Sequence, residues 1–124
     1  MAGYEDLAGF EHLYLEDSWV LAVHESEHEL RFDLEAVLTE EHPEWHPPKA
    51  GEVYAYKRLA VAFREPREVT WLERATGPPS VDASGEADYG NIDVFTWEGN
   101  SFDLHGDWGH VRVEGNPPVI VDRE

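Results

Sequence analysis

The chain has 124 residues and a formal net charge of −18, from 27 acids against 9 bases, with 41% apolar residues, 12% aromatics and no cysteine. Length and apolar content place it as one domain with a core of its own, and the missing cysteines exclude disulfides, thiolate metal sites and cysteine nucleophiles. A field this negative repels phosphate backbones and anionic lipid surfaces, which argues against nucleic-acid and membrane partners and favours a basic protein.

The N-terminus, Met1 to Asp6, carries acid where a signal peptide carries base, and no apolar run approaches the length of a membrane span. With no disulfide framework either, we expect a cytoplasmic protein. Residues 1–50 carry a net −11 and residues 51–124 a net −7, so the N-terminal part is the more acidic.

Leu7, Phe10, Leu13 and Tyr14 fit helical spacing, while Leu13 and Leu15 equally suit the start of a strand, so residues 4–16 read as a short helix or turn. From Asp17 the pattern is β. Trp19, Leu21 and Val23 alternate with Val20, Ala22 and His24, a strand apolar on both faces and therefore expected to be central. After the polar turn at 25–28, Leu30, Phe32, Leu34 and Ala36 alternate with Arg31, Asp33 and Glu35, a half-buried strand that completes a hairpin.

Residues 39–51 form a loop, since three prolines fall between His42 and Pro48. Tyr54 and Tyr56, then Leu59, Val61 and Phe63, give the next strand signals, and Val69 to Leu72 follow beyond Pro66. Residues 76–90 are a second long loop. Alternation resumes at Ile92, the Glu98-Gly99-Asn100 run is a hairpin connection, and Gly106-Asp107-Trp108-Gly109 is a sharp turn before two final strands at Val111 and Val119. The expected fold is all-β, an antiparallel sandwich or flattened barrel of about eight strands.

Seven histidines raise the question of a metal. His24 and His28, like His42 and His46, are four apart, but both pairs sit in turns or loops, where helical spacing has no force. A site would need His42, His46, His105 and Asp107 to converge through the fold, and that constellation is the metal candidate carried forward. Residues 82–88 alternate oxygen-bearing side chains in the manner of a calcium loop, without its glycine and its closing glutamate. No nucleophile elbow, zincin, phosphate-loop or dinucleotide motif is present, and no catalytic residue or cofactor is assigned. Trp45 and Trp108 lie in loops, where indoles serve either as binding anchors or as caps on the core.

Three local motifs occur together: Tyr14-Leu15-Glu16-Asp17-Ser18-Trp19-Val20-Leu21, Asp88-Tyr89-Gly90-Asn91-Ile92-Asp93 and Gly106-Asp107-Trp108-Gly109. In these the chain resembles an uncharacterised family of small acidic β-rich bacterial proteins, some of which are grouped with immunity proteins of toxin systems. The likeness spans most of the chain and brings no catalytic motif with it.

Residues and resemblance together point to a protein-binding module, with an immunity-like inhibitor of a basic toxin as its sharpest form and Glu25, Glu27, Asp33 and Glu35 as contact acids. The alternatives are a small-ligand or carbohydrate-binding β domain using Trp45 and Trp108, and a metal-dependent enzyme using the loop histidines. Monomer and homodimer suit all three.

Overall fold

Alternation is decisive where one face of a strand meets a core. Along β3 (Glu29–Leu38), Leu30, Phe32, Leu34 and Ala36 are buried while Arg31, Asp33 and Glu35 stay partly exposed. The computed structural model describes residues 2–74, 80–81 and 87–124. Around β3 the chain forms β1 (Ala2–Gly3), a 3-10 turn (Tyr4–Asp6), β2 (Leu13–Glu25), β4 (Ala55–Arg64), β5 (Glu68–Arg74), β6 (Ser80–Val81), β7 (Ala87–Asp88), β8 (Val94–Glu98), β9 (Ser101–Gly106), β10 (Gly109–Glu114) and β11 (Val119–Asp122).

Nine of these strands make two antiparallel sheets, ordered β1-β8-β9-β10-β5 and β11-β4-β3-β2, and β6 pairs with β7 in a short ribbon. The sheets pack as a sandwich, close to the expected strand number. Aromatic rings join them: Phe63 of β4 lies 6.2 Å from Phe95 of β8 and 5.7 Å from Phe102 of β9, centroid to centroid. Each such fully buried side chain contributes about 1.5–3 kcal/mol relative to exposure.

The N-terminal segment, read as a short helix or turn, is a 3-10 turn continued by further turns. Leu7 N–H donates to the Tyr4 carbonyl, Phe10 to Leu7 and Leu13 to Phe10. Three consecutive tight turns thus bury Tyr4, Leu7, Phe10 and Leu13 at intervals of three, a spacing that sequence periodicity cannot separate from a helix.

β2, expected to be central, is instead the edge of its sheet. Its apolar faces have a different cause. The β2–β3 pairing slips between Tyr14 and Trp19 and again between Val20 and Ala22, so Val20 and Val23 face the core while Trp19 and Ala22 face out. The backbone at Tyr89 and Gly90 covers this edge by exchanging hydrogen bonds with Val20 (3.0 and 2.8 Å).

The hairpins follow their turn residues. Glu98 pairs with Ser101 across Gly99-Asn100, where Gly99 takes a φ of 60°. Gly106 pairs with Gly109 across Asp107-Trp108. A β-carbon on Gly106 would collide with the Asn91 carbonyl oxygen and lie 2.5 Å from Trp108 Nε1, so glycine is required there for close approach.

Candidate binding surface

Tyr14 and Trp19 are five residues apart, and in a regular strand they would point to opposite faces. Here Tyr14 pairs with Val37 and Trp19 with Glu35, so four β2 residues, 15–18, stand against Ala36 alone. This wide bulge returns both aromatics to the outer face of the four-stranded sheet. Its centre is Ser18, fully buried, whose hydroxyl donates to the Tyr14 carbonyl (2.7 Å) and accepts from Val37 N–H (2.8 Å). Leu15 N–H donates to the Tyr4 hydroxyl (3.1 Å), that hydroxyl donates to the Glu16 carboxylate, and Asn91 Nδ2 donates to the Glu16 carbonyl (2.6 Å). The backbone groups that the bulge removes from the ladder thereby find side-chain partners.

The start of β4 lies across the same face. The ring centroids of Tyr14 and Tyr54 are 6.3 Å apart, those of Tyr54 and Tyr56 6.2 Å, and those of Tyr56 and Trp19 6.4 Å, with interplanar angles of 84°, 90° and 54°. This is a continuous aromatic row, in which Tyr14 and Trp19 remain 40% and 37% exposed. The Tyr54 hydroxyl donates to Asp17 Oδ2 (2.6 Å), which raises its pKa above the ordinary tyrosine value. Burial, followed by the Glu35 charge, raises that of Tyr56.

Two depressions flank the row. One, of about 310 Å³, lies between Tyr14, Trp45 and Tyr54, with Val53 and Pro48 on its walls and Glu40 at its side. The other, of about 200 Å³, is polar and includes Glu35, Lys49, Tyr56 and Arg58. The wall between them is the 39–54 loop, fixed by successive turns (His42 N–H to Thr39 O, 2.9 Å; Trp45 N–H to His42 O, 3.0 Å). Lys57 anchors it. This residue pairs with Ala36 on the core side of β4, yet its ammonium reaches Glu44 (3.0 Å), Asp122 (3.3 Å) and Glu124 (3.7 Å) with the side chain only 10% exposed. The hydrogen bond to Glu44 is the main reason that its pKa is raised.

The acids expected to contact a partner are dispersed. Asp33 and Glu35 lie on the outer face of β3: Asp33 bonds Arg31 (3.0 Å) and His24 (3.1 Å), and Glu35 meets Arg58 (3.6 Å) beside Trp19. Glu25 joins β2 to β5, accepting from Arg74 (2.8 Å) and Trp71 Nε1 (3.2 Å). Glu27 is at the exposed β2–β3 turn, 3.5 Å from His28. Of the two indoles singled out in sequence, Trp45 lines the apolar groove. Trp108 does not reach the surface: it is 4% exposed, its ring lies 4.8 Å from Phe32, and its Nε1 donates to the Asn91 carbonyl (3.1 Å). It caps the core and cannot serve as an anchor.

The metal constellation fails too. His42 and His46 belong to the 39–54 loop, with His46 Nε2 3.3 Å from the Tyr56 carbonyl, and burial lowers the pKa of His42. His105 is on the outer face of β9 beside His110 (4.9 Å between rings), and His110 bonds Asp103. Asp107 packs on Gly90 in the β9–β10 turn. Among the described residues no group of three or more His, Cys, Asp or Glu could hold a metal ion. The calcium-like run falls largely outside the described residues.

Sequence reasoning missed Tyr14, Trp19, Tyr54 and Tyr56 as one surface. Tyr54 and Tyr56 gave a usable signal, two aromatics at strand spacing beside a proline-rich loop. The other signal was Glu16-Asp17-Ser18, three polar residues interrupting an apolar run, a break in alternation of the kind a bulge makes.

No helix among the described residues is long and apolar enough to cross a membrane. Comparison with protein-family models, curated proteins and solved structures found no match, so the immunity-like resemblance rests on its three short motifs.

Proposed function

We propose that this chain is a protein-binding module that docks a basic partner on the outer face of its four-stranded sheet. The observation that carries the reading is the aromatic row from Tyr14 through Tyr54 and Tyr56 to Trp19. Tyrosine and tryptophan dominate interface hot spots because each combines a large apolar area with few rotatable bonds and a polar tip. Asp33 and Glu35 border the row as a polar rim. The net charge of −18 favours encounter with a basic partner and disfavours a second copy of the same chain. An immunity-like inhibitor of a basic toxin is one module of this kind.

The carbohydrate alternative has less support. Stacking a sugar chain calls for roughly coplanar rings, and neighbouring planes here stand at 54–90°.

The test is affinity capture from the source organism's lysate with wild type and with a Trp19→Ala/Tyr56→Ala double variant, followed by titration of the recovered protein. A basic protein that binds wild type, is released by salt, and binds the double variant at least tenfold more weakly supports the module. A protein held equally by both places docking elsewhere and defeats the proposal, as does a partner that no salt concentration weakens.

A further inference from the structure

Beside the aromatic row lies a groove whose chemistry has a counterpart elsewhere in the chain. At the junction of β2 and β5, the Arg74 guanidinium sits 4.3 Å from the centre of the Trp71 ring. It donates to Glu25 (2.8 Å), and the same carboxylate accepts from Trp71 Nε1. A cation over an aromatic face is attracted by the ring quadrupole, and a nearby carboxylate adds charge and a hydrogen-bond acceptor.

The groove beside Tyr14 holds two of these three parts. Tyr14, Trp45 and Tyr54 supply the rings, and Glu40 is the one charged side chain on its lining. Glu40 is exposed, and its side chain makes no ion pair or hydrogen bond among the described residues. Asp17, bonded to the Tyr54 hydroxyl, adds negative charge next to that ring. At about 310 Å³ the groove is at the lower end of ligand sites, which run from roughly 300 to 1,000 Å³. It has room for one long side chain, not for a folded element. Val53 and Pro48 offer apolar wall for an aliphatic stem.

We infer that this groove receives an arginine side chain of the basic partner, its stem along Val53 and Pro48 and its guanidinium between the tyrosine rings and Glu40. The inference rests on the docking reading above and specifies what enters. Arginine suits better than lysine because its planar, weakly hydrated head stacks on rings and bonds a carboxylate with two parallel donors.

The probe is a capped tripeptide, acetyl-Gly-Arg-Gly-amide, titrated into the full chain and followed by amide chemical shifts. The lysine and citrulline analogues serve as comparisons, citrulline having nearly the shape of arginine without its charge. Saturable shifts centred on Glu40, Trp45 and Val53, with the citrulline peptide roughly tenfold weaker and Glu40→Gln weakening the arginine peptide roughly threefold, are the expected result. Equal affinity for citrulline, or shifts spread over surface acids remote from the groove, overturns the inference. Failure here is separable from failure of the module. If a captured partner loses affinity for Trp19→Ala/Tyr56→Ala yet binds Glu40→Gln as it binds wild type, docking stands and arginine insertion falls.

Discussion

Replacing Ser18 by alanine removes a single oxygen from a fully buried site and leaves two backbone groups without their partners, the Tyr14 carbonyl and the Val37 N–H. An unsatisfied buried polar group costs about 1–3 kcal/mol. The two groups face each other across the removed oxygen, so partial closure of β2 on β3 recovers some of that cost. We expect a loss of about 2–3 kcal/mol, equivalent to a fall in Tm of about 10 °C for a domain of this size. The assay is equilibrium urea unfolding followed by tryptophan fluorescence, with Ser26→Ala as the comparison. Ser26 is exposed, and its hydroxyl only accepts a 3.3 Å bond from His28 N–H, so that variant stays within about 0.5 kcal/mol of wild type. Closure also draws Tyr14 and Trp19 out of register, so Ser18→Ala weakens partner binding although every ring of the row is present. If Ser18→Ala loses no more than Ser26→Ala, the bulge does not depend on that hydroxyl and the account of how the row is built is wrong.

Burial, reinforced by the hydrogen bond to Glu16, raises the Tyr4 hydroxyl well above its ordinary pKa of 10.0. The folded state therefore keeps a proton that the unfolded chain releases above that pH. The contribution of Tyr4 is whole below pH 10 and is lost as pH rises, with a limiting slope of about 1.4 kcal/mol per pH unit. Tyr4→Phe keeps a ring in the core and flattens the alkaline limb of stability measured by urea unfolding between about pH 9 and 11; an unchanged slope counts against the assignment. Gly106→Ala forces a β-carbon onto the Asn91 carbonyl and Trp108, whereas Gly99→Ala at φ 60° meets nothing within 4 Å. The first should cost about 3 kcal/mol by overpacking and the second about 1 kcal/mol by backbone strain, and the reverse order in denaturation midpoints would contradict the close-approach reading.

Elements with strict alternation were legible. β3, the β2–β3 hairpin, the two-residue β8–β9 connection and the turn before β10 all follow from side-chain period and turn chemistry. Legibility failed where register departs from the period. Trp19, Leu21 and Val23 read as one face of a buried strand, but two slips in pairing with β3 place Trp19 outside and Val23 toward the core. That same shift hid the binding surface, since nothing in the spacing of Tyr14 and Trp19 indicates a shared face. Trp108 shows the opposite error. A tryptophan between glycines looks exposed, yet Gly106 is what lets its ring fold back on Asn91 and Phe32. The histidines were misleading because convergence of loop residues depends on loop paths, which composition does not specify.

β11 has only four residues, and behind it β4 presents Leu59, Ala60, Val61, Ala62 and Phe63, all buried and none charged. Five such residues in a row form a self-templating window of the sort that propagates cross-β assembly once its edge is bare. β11 is thus a guard strand, and the ion pairs from Lys57 to Asp122 and Glu124 are the latch that keeps it closed. Whatever frays this end uncovers the stretch of the molecule best suited to recruit other chains. Amide exchange at the β4 positions bonded to β11 should accelerate in Lys57→Met, and aggregation should accelerate with it, while the bonds between β4 and β3 remain protected.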